Sequence, residues 1–260
     1  MNELELIAEN IKNKNLDKAL ELCKLNKNSN DKSIIYNFIG VIHFMKKNLA
    51  EAENFFLKVI EIDDKFQDPI RNLCVIYAIT KKFKELLNYS TKLYYLDNKN
   101  PLNIFQIGSA NELNKNYDEA IKYYEKYINT DGSDKKRGFN NIGNIFLRKG
   151  KPKTSVKYFS KALELDKNNK ILVNNILLCY LYLRDENKAE EYFKIAETID
   201  SNYIEFLHNK AEFLILKNQI NEAEKILDKN KDIIKFLITL IRLYFNSGQS
   251  NKGNELLNQS

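Results

Sequence analysis

The chain has 260 residues, 43% hydrophobic and 29% charged, with 15 Tyr, 15 Phe and no Trp; that apolar load excludes a disordered chain. Eight Gly and three Pro are too few for a turn-rich β fold and point to helices. The formal charge of +6 comes from Lys scattered among nearly as many acids, without a block of five or six like charges, so no nucleic-acid tail is signalled. Cys23, Cys74 and Cys179 form no C-x-x-C pair and fit a reduced compartment and small buried side chains better than a disulfide framework or zinc site.

Residues 1–20 carry charges throughout and have no continuous apolar region, so no secretory signal is expected in them. The longest apolar run, 236–245, contains Arg242 and is far shorter than the roughly 18 residues of a membrane span. The expectation is a cytoplasmic chain with no membrane segment. From the N-terminus onward one helical pattern returns. A small-residue marker falls at Ala19, Ala52, Leu86, Ala120, Ser155, Ala189, Ala223 and Gly253, with gaps of 33, 34, 34, 35, 34, 34 and 30. In the clearest copies an aromatic follows four places later, at Phe56, Tyr124 and Phe193. Twelve places before the marker stands a second, often small position: Gly40, Cys74, Gly108, Gly143, Leu177, Ala211 and Ile241. Apolar groups flank it at helical spacing, such as Tyr36, Ile39 and His43, Phe139, Ile142 and Phe146, or Val173, Ile176 and Tyr180. This periodicity predicts stacked helix pairs in which the small residues allow close approach and the aromatics fill the core.

The pattern resembles the tetratricopeptide repeat family, whose 34-residue unit alternates a helix A and a helix B. The family has an aromatic at position 4, Leu at 7, Gly at 8, Tyr at 11, Ala at 20, an aromatic at 24, Ala at 27 and Pro at 32. The fifth unit matches with Phe139, Ile142, Gly143, Phe146, Ser155, Phe159 and Ala162. The fourth matches with Ile107, Gly108, Ala120, Tyr124 and Tyr127, and the sixth with Ile176, Tyr180, Ala189, Phe193 and Ala196. The resemblance implies an all-α, right-handed superhelical solenoid of antiparallel helix pairs, a single array of units near 1–32, 33–66, 67–100, 101–135, 136–169, 170–203, 204–233 and 234–260. Pro at 32 is replaced by Asp64, Asn98, Gly132, Lys167 and Ser201, which predicts polar caps there. The first and seventh units are expected to have shortened second helices, and the eighth stops at residues 254–260 without showing the extra polar helix common in the family. Segment 236–245 is apolar on most sides, so that end of the stack is expected to expose surface.

Catalytic patterns are missing. His43 and His208 sit at position 11 and position 5 of helix A, with no partner at motif spacing, and the stretch 138–144 lacks the Lys-Ser/Thr of a phosphate loop. No G-x-G-x-x-G, H-E-x-x-H or G-x-S-x-G occurs, so no enzyme, cofactor or metal is expected. In the family, positions 2, 5, 6, 9, 12 and 13 of helix A line a concave groove where partners dock. Position 6 reads Asn72, Gln106, Asn141, Asn175 and Asn209, between Phe38 and Thr239. Side-chain amides both donate and accept, so such a ladder can pair with the backbone of an extended peptide. Asn supplies roughly one residue in seven, so amides at solvent-facing positions are also expected from composition. The neighbouring groove candidates are Arg71, Phe105, Arg137, Asn140, Asn144, Asn174 and Tyr182, of which Arg71 and Arg137 suggest an acidic segment or a C-terminal carboxylate.

The family's clamp for acidic heat-shock tails is not expected: Asn144 and Asn175 match it, but Asn140, Glu205 and Asn209 stand where cations belong. The reading is a non-catalytic scaffold whose groove, over units three to seven, holds an extended or C-terminal segment of another protein. Two alternatives stand beside it. The chain could be an assembly subunit or homodimer that docks through its apolar C-terminal end. Its mild positive charge also permits single-stranded RNA binding, although the regular Gly and Ala packing positions favour the protein-binding family.

Overall fold

The structure, a computed structural model, describes residues 2–26 and 31–259. Among the described residues there are sixteen helices and no strand. They pair as α1 (Glu3–Lys12) with α2 (Leu16–Leu25), α3 (Lys32–Met45) with α4 (Leu49–Ile62), α5 (Gln67–Ile79) with α6 (Phe83–Leu96), and α7 (Pro101–Leu113) with α8 (Tyr117–Ile128). The series continues with α9 (Lys135–Arg148) and α10 (Pro152–Leu165), α11 (Lys170–Leu183) and α12 (Glu186–Asp200), α13 (Ile204–Leu216) and α14 (Ile220–Lys229), and α15 (Ile234–Asn246) and α16 (Ser250–Gln259). The fold class is therefore the expected one, an all-α solenoid of antiparallel helix pairs. Two compact units, residues 1–133 and 134–260, hold four pairs each. As expected, α2 and α14 are short, with ten residues each.

Close approach within a pair follows from side-chain volume traded across the interface. A Cβ added at Gly40 would lie 2.6 Å from the ring of Phe56, and one at Gly143 would lie 2.6 Å from Phe159. At Gly108 the same atom would meet Tyr124 at 3.0 Å. Phe56, Tyr124 and Phe159 are fully buried. In α5 the equivalent residue is Cys74, and the facing position shrinks to Ser90, with Sγ and Oγ 3.5 Å apart. Leu177 in α11 leaves no such hole. Phe193 in α12 instead packs on Phe206 and Phe213 of α13, at 5.3 and 4.8 Å between centroids. Truncating a buried ring of this kind typically costs about 3–5 kcal/mol.

Every turn from helix A to helix B has one geometry. A single left-handed residue stands at Lys14, Lys47, Lys81, Lys115, Gly150, Arg184, Asn218 and Gly248, with φ between 53° and 77°. The next backbone N–H donates to the carbonyl five residues earlier, for example Asn48 to His43 at 2.9 Å and Gln219 to Leu214 at 2.8 Å. That bond satisfies a carbonyl the helix end would otherwise leave open. Six of the eight positions are not Gly, although a side chain in this conformation costs roughly 1 kcal/mol.

The helix ends between repeats are polar: α4, α6 and α10 end on Asp63, Asp97 and Asp166, one residue before the expected sites, α8 ends on Asn129, and α12 ends on the expected Ser201. Asp63 Oδ1 accepts the N–H of Lys65 at 3.0 Å, Asp97 accepts from Lys99 and Asn100, and Asp200 accepts from Asn202 at 3.1 Å. Position 1 of the same repeat can then close an ion pair on this end, as Lys136 does on Asp166 (3.0 Å) and Lys170 on Asp200 (2.9 Å). Lys170 holds the Asp200 carboxyl below its ordinary range.

Candidate functional site

The faces of the A helices turned away from their B partners differ between the two units. In residues 1–133, positions 9 and 13 place Met45, Val75, Ile79 and Leu113 in solvent. The amides of Asn72 and Gln106 are half-buried beside this strip and make no hydrogen bond among the described residues. Arg71 turns inward, donating to Asp68 (3.0 Å), Gln67 (2.5 Å) and Asn103 (3.3 Å). Phe105 is a correction to the sequence expectation. It is buried, with its ring 5.4 Å from Tyr124 and 5.1 Å from Tyr127, so it packs the α7–α8 core and does not face a groove.

In residues 134–260 the amide ladder acquires a structural explanation. Asn175 Nδ2 donates to Asn140 Oδ1 at 3.4 Å. Asn209 Nδ2 donates to the backbone oxygen of Asn174 at 3.0 Å and to its Oδ1 at 3.3 Å. His208 Nε2 and Thr239 Oγ1 lie 3.1 Å apart. In each case position 6 of one A helix meets position 5 of the A helix before it. Asn209 and Asn174, at 4% and 2% exposure, therefore lie inside the packed layer, which corrects their assignment to the groove. Asn141 and Asn144 remain half-buried, and Asn141 makes no hydrogen bond among the described residues.

One open concavity of this unit lies one to two helical turns further along the A helices. A pocket of about 510 Å³ is lined by Leu178, Leu181, Tyr182, Arg184, Glu212, Ile215, Leu216, Arg242 and Asn246. Apart from Arg184, these are positions 9, 12 and 13 of α11, α13 and α15, brought side by side because the A helices stack in register. Leu178, Leu181, Ile215 and Leu216 supply apolar floor, and Tyr182, predicted for the groove, stands 64% exposed at its edge. Arg242 Nη2 donates to both carboxylate oxygens of Glu212 at 2.6 Å, and Thr239 donates to the same carboxylate at 3.3 Å. The predicted residues Arg137 and Asn140 meet elsewhere, in a smaller pocket of about 190 Å³ with Lys136, Asn169, Ile171 and Leu172. The first pocket could have been anticipated by applying the six groove positions to all repeats, since 178, 212 and 242 share position 9.

The three cysteines and two histidines are packed in the core or against rings. Burial pushes the thiols of Cys23 and Cys179 up to about 12 and that of Cys74 to about 11, well away from a reactive thiolate. Burial also lowers the pKa of His208, and His43 stacks on Phe55 with centroids 5.7 Å apart. Among the described residues no three His, Cys, Asp or Glu side chains are placed to hold a metal ion, and no helix is long and apolar enough to cross a membrane.

The exposed C-terminal end is partly as expected. In α15, Ile234, Ile238 and Phe245 are exposed, whereas Leu240 is fully buried in the core with Phe236 and Leu243.

The tetratricopeptide repeat profile matches residues 34–66, 103–134 and 137–169. Among characterised proteins, the type IV pilus assembly protein PilF of Pseudomonas aeruginosa is 23% identical over 173 residues, covering 66% of this chain and 69% of PilF. The solved structure of PilF superimposes with a TM-score of 0.61 at 18% identity, over 80% of this chain and 96% of that one. Human protein O-mannosyl-transferase TMTC3 is 24% identical over 231 residues, which span 82% of this chain but only 24% of TMTC3. A tetratricopeptide repeat protein from Parabacteroides merdae gives a TM-score of 0.71 at 14% identity, over 94% of this chain and 97% of that one. With the family profile matched in three helix pairs and the same two-helix geometry running through the others, the chain belongs to the tetratricopeptide repeat family.

Proposed function

We propose that this chain is a non-catalytic scaffold for protein–protein interaction, and that its A-helix strip in residues 134–260 holds an extended segment of a partner. The pocket between α11, α13 and α15 carries this reading. It offers an apolar floor, an exposed Tyr182 and an Arg242–Glu212 rim, the mixture of aromatic, aliphatic and Arg groups that anchors binding at interfaces. A bulky apolar or aromatic side chain fills the floor, while Asn246 and the rim charges fix the segment's backbone and direction. Selection of peptides from a random display library against the full chain tests this. Leu178→Asp and Tyr182→Ala should each weaken the selected peptides at least roughly tenfold, the effect of losing one interface anchor. Peptides that bind both variants as tightly as the unaltered chain would overturn the reading.

A second reading rests on the exposure of Ile234 (74%) and Ile238 (60%) on α15, which supports self-association through that end. Light scattering should then report a dimer that Ile234→Asp/Ile238→Asp disperses. A monomer at every concentration removes this alternative. Leu240 is unsuited to the test, because a charge at that buried site would unfold the last pair.

A further inference from the structure

The charge of this chain is not scattered evenly, as its overall balance suggests. From Lys135 to Lys161 there are nine basic residues and no acid; the next carboxylate is Glu164. Helix α10 has no acidic residue in its first turn, where a carboxylate would complement the helix dipole. Lys153, Lys157 and Lys161 follow one another at four-residue spacing, all exposed, so they form one ridge with ammonium groups about 6 Å apart along the axis. Like charges at this spacing weaken a helix. The other long B helix of the same unit, α12, pairs Lys188 with Glu191 and Lys194 with Glu190, and in α14 the two lysines at this spacing, Lys225 and Lys229, are interleaved with Glu222, Glu224 and Asp228. Among the described residues no carboxylate pairs with Lys153, Lys157 or Lys161.

We propose that the outward face of α10 is a second docking surface, separate from the pocket, and that it takes an acidic segment of a partner protein. Width and chemistry select this occupant. The ridge is one helix wide, which suits a single acidic helix or strand better than a duplex or a flat anionic membrane. Binding single-stranded nucleic acid requires aromatic faces open to stacking bases. The rings beside this ridge are half-buried and already engaged: Tyr158 stacks on Phe146 at 5.4 Å, and Lys161 Nζ lies 5.6 Å from the centroids of both Tyr158 and Phe139. Carboxylates on every fourth residue of a helical partner match the ridge one for one.

The test uses the full chain and a fluorescent helical peptide with Glu at every fourth position, followed by anisotropy at low and at physiological salt. The peptide should bind, more weakly as salt rises, and K153E/K157E/K161E should reduce affinity at least roughly tenfold. K167E/K225E/K229E makes the same change in net charge away from the ridge and should leave affinity within about twofold. Circular dichroism of both variants confirms that they fold. Equal losses in the two triple variants would reduce the effect to net charge and overturn the proposal, as would absence of binding. It also fails if oligouridine or phosphatidylserine vesicles bind the ridge more tightly than the peptide. Leu178→Asp should leave peptide binding unchanged, which separates this surface from the pocket.

Discussion

Residues 1–133 contain 19 basic and 19 acidic side chains, whereas residues 134–260 contain 22 and 16, so the second unit carries the entire net charge of +6. The A-helix strips differ in the same sense. Met45, Val75, Ile79 and Leu113 make the first an uncharged apolar strip, while the second sets Tyr182, Arg184, Glu212 and Arg242 around an apolar floor. Beneath these surfaces the packing is shared: Gly40 faces Phe56 in one unit as Gly143 faces Phe159 in the other, at the same 2.6 Å. The helix approach leaves no freedom at those positions. Positions 9, 13 and 15 touch little of the core, and there the units have diverged.

The shared core and the divergent surface can be separated by substitution. The largest effect should come from Phe56→Ala and Phe159→Ala, each lowering stability by about 3–5 kcal/mol in chemical denaturation. Hydrogen exchange should place the loosened amides in residues 32–96 for the first and in 135–183 for the second. An effect confined to the wrong unit would break the equivalence of the two cores.

The turns supply a smaller contrast. The first unit places Lys14, Lys47, Lys81 and Lys115 in the left-handed conformation, and the second uses Gly150 and Gly248 at two of its four turns. Lys81→Gly should raise stability by up to about 1 kcal/mol and Gly150→Lys should lower it by about 1 kcal/mol, both read from denaturation midpoints. The smallest effect belongs to the second unit alone. Burial holds the pKa of His208 below its ordinary 6.5, with Glu212 opposing the shift and Lys235 and Arg242 also facing the ring. The folded state thus favours the neutral ring, and this contribution to stability is complete above pH 6.5 and lost as pH falls below it. His208→Gln should flatten the decline in midpoint between about pH 7 and 5 relative to the unaltered chain. Parallel declines would show that the ring does not titrate with unfolding.

How much of this was legible beforehand depended on what fixes each position. The period, the helix pairs and the small-to-aromatic contacts were readable because every repeat must satisfy the same close approach. The fate of the position-6 amides was not. Asn72 and Asn209 look alike in sequence, but Asn209 faces a neighbouring A helix that offers Asn174, and only the packed structure reveals that acceptor. The basic ridge escaped a search for consecutive like charges because a helix spreads one face over every fourth residue, as at Lys153, Lys157 and Lys161. Leu240 belonged to a run apolar on most sides, and spacing alone did not separate its buried face from exposed Ile234 and Ile238.

The amides of the second unit join neighbouring A helices, whereas the proposed recognition lies further along the same helices. Asn175→Ala/Asn209→Ala decides between these roles when denaturation and peptide titration are measured on the same protein. Loss of the hydrogen bonds to Asn140 and Asn174 should lower stability by about 1–3 kcal/mol and leave the affinity of pocket-selected peptides unchanged. Unaltered stability together with lost peptide binding would return the amides to the ligand and contradict the account.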